Sequence, residues 1–313
     1  MQVLILGNGN HTKKRILPAL RSIRSIENIV IADKNTENNE KIDSKLEIRN
    51  FNKELKNNED YNFIIIATPP YNHKNSLLDV VNKSNNILVE KPISNDINFI
   101  FDNEFKDLKN KYNIFESLMY FHHPLWLKVK DIIKENKIIK IFSEFSVPHL
   151  QDNNYVYSKK LGGGSLFDQG IYPVSLALEI SNNVNKIKKI SVIKPKEYEV
   201  DLGGNIELIL DEDIEYFGKW GLGKEYKNYL LLESNDGTMF HIDFIFSKPD
   251  DLISKINVTN NNTISEIEIG KFDQFQNMYQ DIINGDLDRF EYSNSANLLG
   301  RYNLIQEIIY SIN

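Results

Sequence analysis

Short apolar runs alternate with amphipathic stretches through the first third of the chain. Four of these runs stand between polar turns and predict buried strands, over residues 2–6, 28–32, 63–67 and 86–89. Apolar residues at helical spacing predict helices over 13–23 and 73–81. Strands that alternate with helices form a parallel sheet, so this part of the chain is predicted to be a doubly wound α/β domain.

The pattern changes after about residue 120. Helices are predicted over 124–136 and 166–180, with a long strand over 138–147 between them. Strand-like runs then follow, separated by turns rich in Asn, Asp and Gly: 187–193, 206–210, 229–232, 239–246 and 264–269. Closing helices are predicted over 272–284 and 294–312. Short strands joined by such turns predict a largely antiparallel sheet, and hence an α+β domain.

A length of 313 residues suits two domains, which we predict to span 1–119 and 120–313. Lys and Arg number 37 against 44 Asp and Glu, a net charge of −7, which argues against a nucleic-acid partner. The chain contains no cysteine, so disulfides, thiolate catalysis and Cys-ligated zinc are excluded. Redox chemistry would therefore require a cofactor. No histidine or carboxylate spacing predicts a metal site.

The chain begins without a signal-peptide pattern, and its apolar runs are far shorter than the roughly 20 residues that cross a bilayer. The sequence therefore predicts a cytoplasmic protein with no membrane partner.

A glycine turn follows the first predicted strand and opens the first helix. In a dinucleotide-binding turn, the first glycine permits the tight bend and the second lets the backbone approach the pyrophosphate. The predicted cofactor-binding residues of this turn are Gly7, Asn8, Gly9, Asn10, His11 and Thr12. Thr12 stands where a third glycine or alanine is usual. This predicts either a helix set further from the sheet or a hydrogen bond from Thr12 to a phosphate.

Asp33 ends the second predicted strand, 21 residues after Thr12. A carboxylate at this place accepts hydrogen bonds from the adenosine ribose and repels a 2′-phosphate, so NAD is the predicted cofactor. Lys34 follows directly and offsets part of that repulsion, so NADP remains open.

Glu90, Lys91 and Pro92 follow the strand predicted over 86–89. Ligands of open parallel sheets bind outside the carboxyl ends of the strands, which directs Lys91 toward the cofactor crevice. Glu90 is expected to hold the ammonium group in place. Lys91 is then expected to stabilise negative charge on the substrate oxygen during hydride transfer.

Three glycines, Gly162 to Gly164, precede the helix predicted over 166–180. Three small residues before an ordered helix indicate a close approach of the backbone to another group. Asp168 and Tyr172 are four residues apart, so they lie on one face of that helix.

The order of these motifs resembles that of the Gfo/Idh/MocA oxidoreductases over essentially the whole chain. The residues that carry the resemblance are the glycine turn, Ala67-Thr68-Pro69 with His73, Glu90-Lys91-Pro92, His123-Pro124, and the segment from Gly162 to Tyr172. It implies an N-terminal Rossmann domain and a C-terminal α+β domain whose open-faced sheet often forms the oligomer interface. A homodimer or homotetramer formed through that sheet is therefore expected.

The resemblance also implies hydride transfer at a sugar carbon, with Lys91 as the catalytic lysine and Asp168 in the site. Thr68, Pro69 and His73 join Glu90 and Lys91 in the implied cofactor site. The expected substrate-binding residues are Lys91, Tyr157, Asp168, Tyr172 and His122.

Most family members carry His where this chain has Tyr172, and here the chain is similar to the nucleotide-sugar ketoreductase branch. A free tyrosine has a pKa near ~10 and is a proton donor at neutral pH, which favours the reductive direction. Reduction of a keto group on a nucleotide-activated sugar is therefore the predicted function. Two alternatives stay open: a sugar or inositol dehydrogenase working oxidatively, and a non-catalytic NAD(P)-binding regulator on the same fold.

Overall fold

The computed structural model describes residues 1–181, 183–261 and 263–312. Its contacts divide the chain into two compact units, Met1–Leu118 with Phe275–Ser295, and Met119–Gln274 with Ala296–Asn313. The chain first passes from one unit to the other after Leu118, within one residue of the predicted domain boundary. The segment 275–295, which the sequence analysis assigned to the second domain, packs instead with the first unit.

The reason for that difference is long-range packing. Tyr279 stacks on Phe63 with ring centroids 6.2 Å apart, and Phe290 lies 4.3 Å from the ring of Phe115. Both partners belong to strands of the first unit. A local pattern of apolar residues shows that a helix has a buried face, but it does not show which sheet that face covers.

The first unit is built on a seven-stranded sheet. Its strands are β1 Gln2–Leu6, β2 Asn28–Asp33, β3 Glu40–Lys41, β4 Leu46–Asn50, β5 Phe63–Ile66, β6 Asn86–Glu90 and β7 Asn113–Ser117. They are arranged in the order β3-β4-β2-β1-β5-β6-β7. All neighbours pair in parallel except β3 with β4. The predicted doubly wound sheet is confirmed.

A π-helical turn, Thr12–Ile16, runs into the first helix of this unit. The helices are α1 Leu17–Ser22, α2 Phe51–Lys56, α3 His73–Val80, α4 Ile97–Phe101 and α5 Asn103–Lys111. The strand predictions succeeded where apolar residues are contiguous, as in the fully buried Phe-Ile-Ile-Ile run of β5. β7 was missed because it carries a carboxylate, Glu116. That carboxylate is buried and accepts a hydrogen bond from the Ile93 amide at 2.9 Å.

The second unit contains an eight-stranded sheet. Its strands are β8 Ile138–Val147, β9 Val184–Ile193, β10 Gly203–Leu210, β11 Glu215–Leu222, β12 Lys227–Ser234, β13 Met239–Asp243, β14 Ser254–Asn260 and β15 Thr263–Gly270. The order is β15-β14-β13-β12-β8-β11-β10-β9. Every pair is antiparallel except β8 with β11, so the predicted, largely antiparallel sheet is confirmed.

The remaining helices are α6 Pro124–Glu135, α7 Ile171–Ile180, α8 Gln274–Asn284 and α9 Ser295–Tyr310. β13 ends three residues earlier than predicted because Phe244 has a φ of 53°. A bulky side chain rarely adopts this left-handed conformation, and it breaks the strand.

α7 covers one face of the second sheet. The ring of Tyr172 lies 5.0 Å from Phe145 of β8, and the Tyr216 hydroxyl of β11 donates to the Pro173 carbonyl at 2.5 Å. Successive residues of a strand point to opposite faces, so Phe142 and Phe217 lie on the other face, where their rings stack 4.9 Å apart.

Candidate active site

The predicted cofactor-binding residues of the first unit meet at one edge of its sheet. β1, β2, β5 and β6 are parallel, so their carboxyl ends lie at the same edge. Asp33 is the last residue of β2, and the segments that follow β1, β5 and β6 contain Gly7, Thr68 and Lys91. Four separate stretches of the sequence thus contribute to a single crevice edge.

The glycine turn is shaped by its two glycines in different ways. Gly7 has a φ of 106°, and a Cβ at this position would lie 2.6 Å from the Ala67 carbonyl oxygen. The turn therefore packs directly on the segment that follows β5. A Cβ at Gly9 would meet nothing within 4 Å. The backbone at Gly9, and the exposed Asn10 and His11 after it, consequently face open space that a pyrophosphate can fill.

Thr12 lies inside the glycine turn. Its side chain is fully buried, and its hydroxyl donates to the Gly7 carbonyl at 2.9 Å. Thr12 therefore closes the turn from inside, and its hydroxyl is directed at the protein backbone instead of a phosphate.

Asp33 presents an oriented carboxylate at the end of β2. Its Oδ1 accepts from the Asn35 amide at 3.1 Å and from the Asn35 side chain at 3.4 Å, while Asn8 Nδ2 donates to Oδ2 at 3.4 Å. The ammonium of Lys34 lies 5.0 Å above the ring of Phe51. Asn8 thus joins the glycine turn to the carboxylate that is expected to hold the ribose.

Glu90 is a mostly buried carboxylate at the same edge. The Ser117 hydroxyl donates to its Oε1 at 2.9 Å, and His11 Nε2 lies 3.3 Å from the same oxygen. Burial raises the pKa of Glu90, but His11, the Ser117 hydroxyl and Lys91 outweigh burial and hold the pKa below its usual value. The edge of Phe275 lies against the His11 ring, with centroids 5.5 Å apart. Glu90 therefore stays ionised beside Lys91.

Lys91 is half-buried and is joined to Pro92 by a cis peptide bond. His73 supports this segment from behind, because its Nδ1 lies 2.7 Å from the Pro92 carbonyl and its Nε2 lies 2.6 Å from the Thr68 carbonyl. The ring is fully buried, and burial lowers its pKa. Both ring nitrogens face backbone carbonyls, so His73 acts on the expected cofactor site through the two segments that it joins. Pro69, which follows Thr68 in the sequence, is exposed.

The three glycines of the second unit serve the protein's own packing. A Cβ on Gly163 would lie 2.5 Å from the carbonyl oxygens of Tyr155 and Val156, and one on Gly164 would lie 2.6 Å from Asp201 Oδ1. The amides of Gly162, Gly163 and Gly164 all donate to backbone carbonyls, at 3.1, 2.9 and 2.8 Å. The groups that approach these glycines are therefore neighbouring protein atoms.

Asp168 lies in a π-helical turn, Leu166–Gly170, that leads into α7. Tyr155 donates to its Oδ1 at 3.3 Å, and the Gln169 side chain donates to its Oδ2 at 2.6 Å. Two donors fix the carboxylate as a hydrogen-bond acceptor. Tyr155 was missed by the sequence analysis, since nothing in the local pattern singles it out.

Tyr172 lies one turn further along and is 5% exposed. Its ring packs among Tyr120, Phe145 and Phe246, with centroids 5.9, 5.0 and 5.5 Å away. Its hydroxyl lies 3.8 Å from the sulfur of Met119. These three rings fix the orientation of the Tyr172 ring.

The other predicted substrate residues also lie in the second unit. His122 is buried at the end of a 3-10 turn, Met119–His122. Its neighbour His123 caps α6, accepting from the Leu125 amide at 3.0 Å, and burial lowers the pKa of His123 to about 3. The Tyr157 hydroxyl accepts from the Leu150 amide at 3.0 Å, and its ring stacks on His149. His123 is thus structural, whereas Tyr157 closes the loop that leads to the glycines.

Within the described ranges, no helix is long and apolar enough to span a membrane. The same part of the chain contains no group of three His, Asp or Glu side chains placed to hold a metal ion.

The fold and the site define an α/β protein with a dinucleotide-binding edge. Residues 1–104 match the Gfo/Idh/MocA family model, described as an oxidoreductase family with an NAD-binding Rossmann fold. Over these residues the chain therefore resembles the Rossmann domain of that family, as the motif order predicted.

The chain is also similar to proteins of known activity. It is 22% identical over 281 residues to a dTDP-3,4-didehydro-2,6-dideoxy-alpha-D-glucose 3-reductase of Saccharopolyspora spinosa. The match covers 88% of this chain and 84% of that protein. A protein of the same name from Actinomadura kijaniata is 21% identical over 222 residues, or 69% of this chain and 66% of that protein.

Among solved structures, KijD10, a 3-ketoreductase from Actinomadura kijaniata in complex with NADP and TDP-benzene, superposes with a TM-score of 0.86 at 19% identity. The match covers 99% of this chain and 97% of that chain. An aldose-aldose oxidoreductase of Caulobacter crescentus superposes with a TM-score of 0.80 at 13% identity, covering 99% and 96%. These likenesses confirm the two-part fold.

Proposed function

We propose that this protein is an NAD(P)H-dependent reductase of a keto group on a nucleotide-activated sugar. The observation that carries the proposal is Tyr172, a phenol packed among aromatic rings at the position where the motif resemblance implies histidine in most family members. The dTDP-sugar 3-reductases to which the chain is similar indicate the substrate class.

The first unit fits a nicotinamide dinucleotide. The open space at Gly9 admits the pyrophosphate, and the oriented Asp33 carboxylate accepts hydrogen bonds from the ribose. When bound, the reduced dinucleotide supplies a hydride. The preference for NAD(H) over NADP(H) rests on the Asp33 charge, although KijD10 was solved with NADP.

Lys91 and Tyr172 divide the remaining chemistry. As a carbonyl carbon accepts hydride, negative charge develops on its oxygen, and the Lys91 ammonium stabilises that charge. The Tyr172 hydroxyl then delivers its proton to the alkoxide, which becomes the alcohol. Glu90, kept ionised, attracts the Lys91 ammonium.

Asp168 orients the sugar. Its carboxylate is held by Tyr155 and Gln169 and accepts a hydrogen bond from a substrate hydroxyl. His122 and Tyr157 complete the proposed sugar contacts, and Tyr157 lies next to Ser158 and the exposed Lys159 and Lys160, whose charges suit a diphosphate.

We also propose a homodimer or homotetramer formed through the second sheet. The face opposite α7 carries the stacked rings of Phe142 and Phe217 together with complementary charges, such as Lys219 and Glu144 at 3.1 Å. A face with an apolar centre and a polar margin suits an interface between subunits. A cytoplasmic location is proposed with it, since a chain without cysteine suits a reducing compartment.

The proposal is tested with a panel of dTDP-linked 3-keto sugars and both reduced dinucleotides. Wild-type protein is expected to oxidise the dinucleotide only when a keto sugar is added. Lys91→Ala should lower single-turnover hydride transfer about 100 to 1,000-fold, and Tyr172→Phe about 100 to 10,000-fold, with dinucleotide affinity nearly unchanged.

Other outcomes separate the alternatives. Oxidation of free sugars or inositols with NAD⁺, without reduction of the keto sugars, would identify a dehydrogenase. Tight dinucleotide binding without turnover of any substrate would identify a regulator. A Lys91→Ala protein that retains most of its rate would remove the lysine from the mechanism.

A further inference from the structure

The π-helical turn with Asp168 and α7 with Tyr172 form one continuous helix over 166–180, which begins against a buried carboxylate, Asp201. This residue lies in the connection between β9 and β10, far from the helix in sequence. Its side chain is 8% exposed. Nothing in the proposed proton and charge transfer uses it.

Asp201 accepts hydrogen bonds from two consecutive residues at the helix start. Its Oδ2 accepts from the Ser165 hydroxyl, and from the Leu166 amide at 2.8 Å. Its backbone carbonyl accepts from the Ser165 amide at 3.0 Å. The first amides of a helix have no partner within the helix, so a carboxylate here satisfies an otherwise unpaired donor.

Gly164 leaves room for this carboxylate. The place that a Cβ of Gly164 would occupy is 2.6 Å from Asp201 Oδ1, and the φ of Gly164 is 119°. The last of the three glycines therefore lets Asp201 reach the helix start.

The connection that holds Asp201 is itself fixed to the sheet. The Leu202 amide donates to the Ile193 carbonyl at 2.8 Å, and the Leu202 carbonyl accepts from the Leu222 amide at 2.8 Å. Through its neighbour, Asp201 is therefore attached to two strands of the second sheet, β9 and β11, just before β10 begins. Burial raises the pKa of Asp201, and the hydrogen bonds from Ser165 and Leu166 offset only part of that rise.

We propose that Asp201 is a positioning residue, which fixes the start of the helix so that Asp168 and Tyr172 meet the sugar in a reactive arrangement. The inference rests on the proposed function for its effect on rate. Asp168 lies one turn from Ser165 and Tyr172 about two turns, so a shift of the helix start moves both side chains. A misplacement of about 1 Å can cost about 100-fold in rate.

The test compares buried Asp201 with an exposed carboxylate, Asp236, that has the same kinds of hydrogen-bond donor. Asp236 accepts from the Ser234 hydroxyl and from the Thr238 amide at 3.0 Å, but in the turn between β12 and β13. Asp201→Ala is expected to lower kcat about 10 to 100-fold, with KM for the sugar and Kd for the dinucleotide within about twofold. Asp201→Asn, which keeps an acceptor oxygen, should recover part of the loss. Asp236→Ala should leave kcat unchanged.

Two further measurements separate positioning from a general loss of stability. In a Tyr172→Phe background, the effect of Asp201→Ala on kcat should shrink, since the residue acts through the helix that carries Tyr172. Hydrogen exchange of the amides of residues 166–172 should be at least about tenfold faster in Asp201→Ala and unchanged in Asp236→Ala. If Asp201→Ala does not fold, Ser165→Ala removes one of the donors and is expected to show the same changes more weakly.

Unchanged kcat and unchanged exchange in the Asp201 variants would overturn the inference, as would an equal loss of kcat in Asp236→Ala. A wild-type protein that reduces no nucleotide sugar would refute the proposed function instead. The exchange measurement needs no substrate, so it then decides alone whether Asp201 anchors the helix.

Discussion

At the end of β2, the Asp33 carboxylate is held by Asn35 and Asn8, with its charge directed toward the expected ribose site. We expect Asp33→Ser to move the ratio of NADPH to NADH affinity at least about tenfold toward NADPH, because a like charge no longer faces the 2′-phosphate. Titration with both reduced dinucleotides measures the ratio.

The control for this variant is Asp60→Ser, which removes an exposed carboxylate before the amino end of β5. Its affinity ratio should equal that of the wild type. If wild-type protein already binds NADPH more tightly than NADH, then Lys34 or another residue overrides the Asp33 charge.

Lys248 is a buried lysine outside the proposed chemistry. Its ammonium donates to the Ile245 carbonyl at 3.2 Å and to Gln274 Oε1 at 3.4 Å, and burial lowers its pKa to about 7. An unfolded lysine has a pKa near ~10.4, so between about pH 7 and 10 the unfolded chain binds more protons than the folded protein. The free energy of unfolding should therefore rise with pH in this window, by up to about 1.4 kcal/mol per pH unit from this group.

Denaturant unfolding at several pH values measures that slope. Lys248→Met should flatten it, whereas Lys255→Met, which removes an exposed lysine paired with Glu266, should not. An equal slope in wild type and Lys248→Met would show that Lys248 titrates normally.

Among the elements, the turn between β1 and the helix that follows it contains two glycines, of which only Gly7 lacks room for a side chain. Gly7→Ala places a methyl group 2.6 Å from the Ala67 carbonyl oxygen at a φ of 106°, so it should destabilise the protein by about 1 to 3 kcal/mol or more and weaken dinucleotide binding. Gly9→Ala meets no atom within 4 Å and should leave stability nearly unchanged.

Thermal melting and dinucleotide titration on both variants provide the comparison. Gly9→Ala should still weaken dinucleotide binding, since its methyl group enters the space expected for the pyrophosphate. A Gly9→Ala protein with wild-type affinity would show that the dinucleotide does not approach the turn at this residue.

The sequence predicted those elements that a local pattern of apolar residues specifies. Apolar runs identified β1, β2, β5 and β6, and the residues after these strands supplied the cofactor edge. β4 was missed because Arg49 interrupts it, and this arginine is largely buried by pairing with Glu47, Glu54 and Glu59. The roles of Tyr155 and Asp201 were not predicted for a related reason, because they arise from contacts that only the folded chain makes.

At the scale of the whole molecule, the first unit is completed by residues far along the chain. The Tyr292 hydroxyl donates to the Glu116 carbonyl at 3.0 Å, and the Ser293 hydroxyl accepts from the Glu116 amide at 2.7 Å. We therefore expect a fragment of residues 1–118 to melt without cooperativity, whereas the same fragment joined to residues 275–295 by a flexible linker should melt cooperatively. Calorimetry of the two fragments measures this, and a cooperative transition in the shorter one would contradict it.

The interleaving of the two units also sets an order of events at the ribosome. Domains generally fold as they emerge, the N-terminal one first, at about 5 to 20 residues per second of synthesis. Here Phe275–Ser295 emerges only after nearly all of the second unit has been made. The first unit to be synthesised is thus completed late, and its nascent sheet must remain uncovered while the other unit is translated. During that interval the exposed strands are open to association with other chains, an association that chaperones or rapid translation would limit.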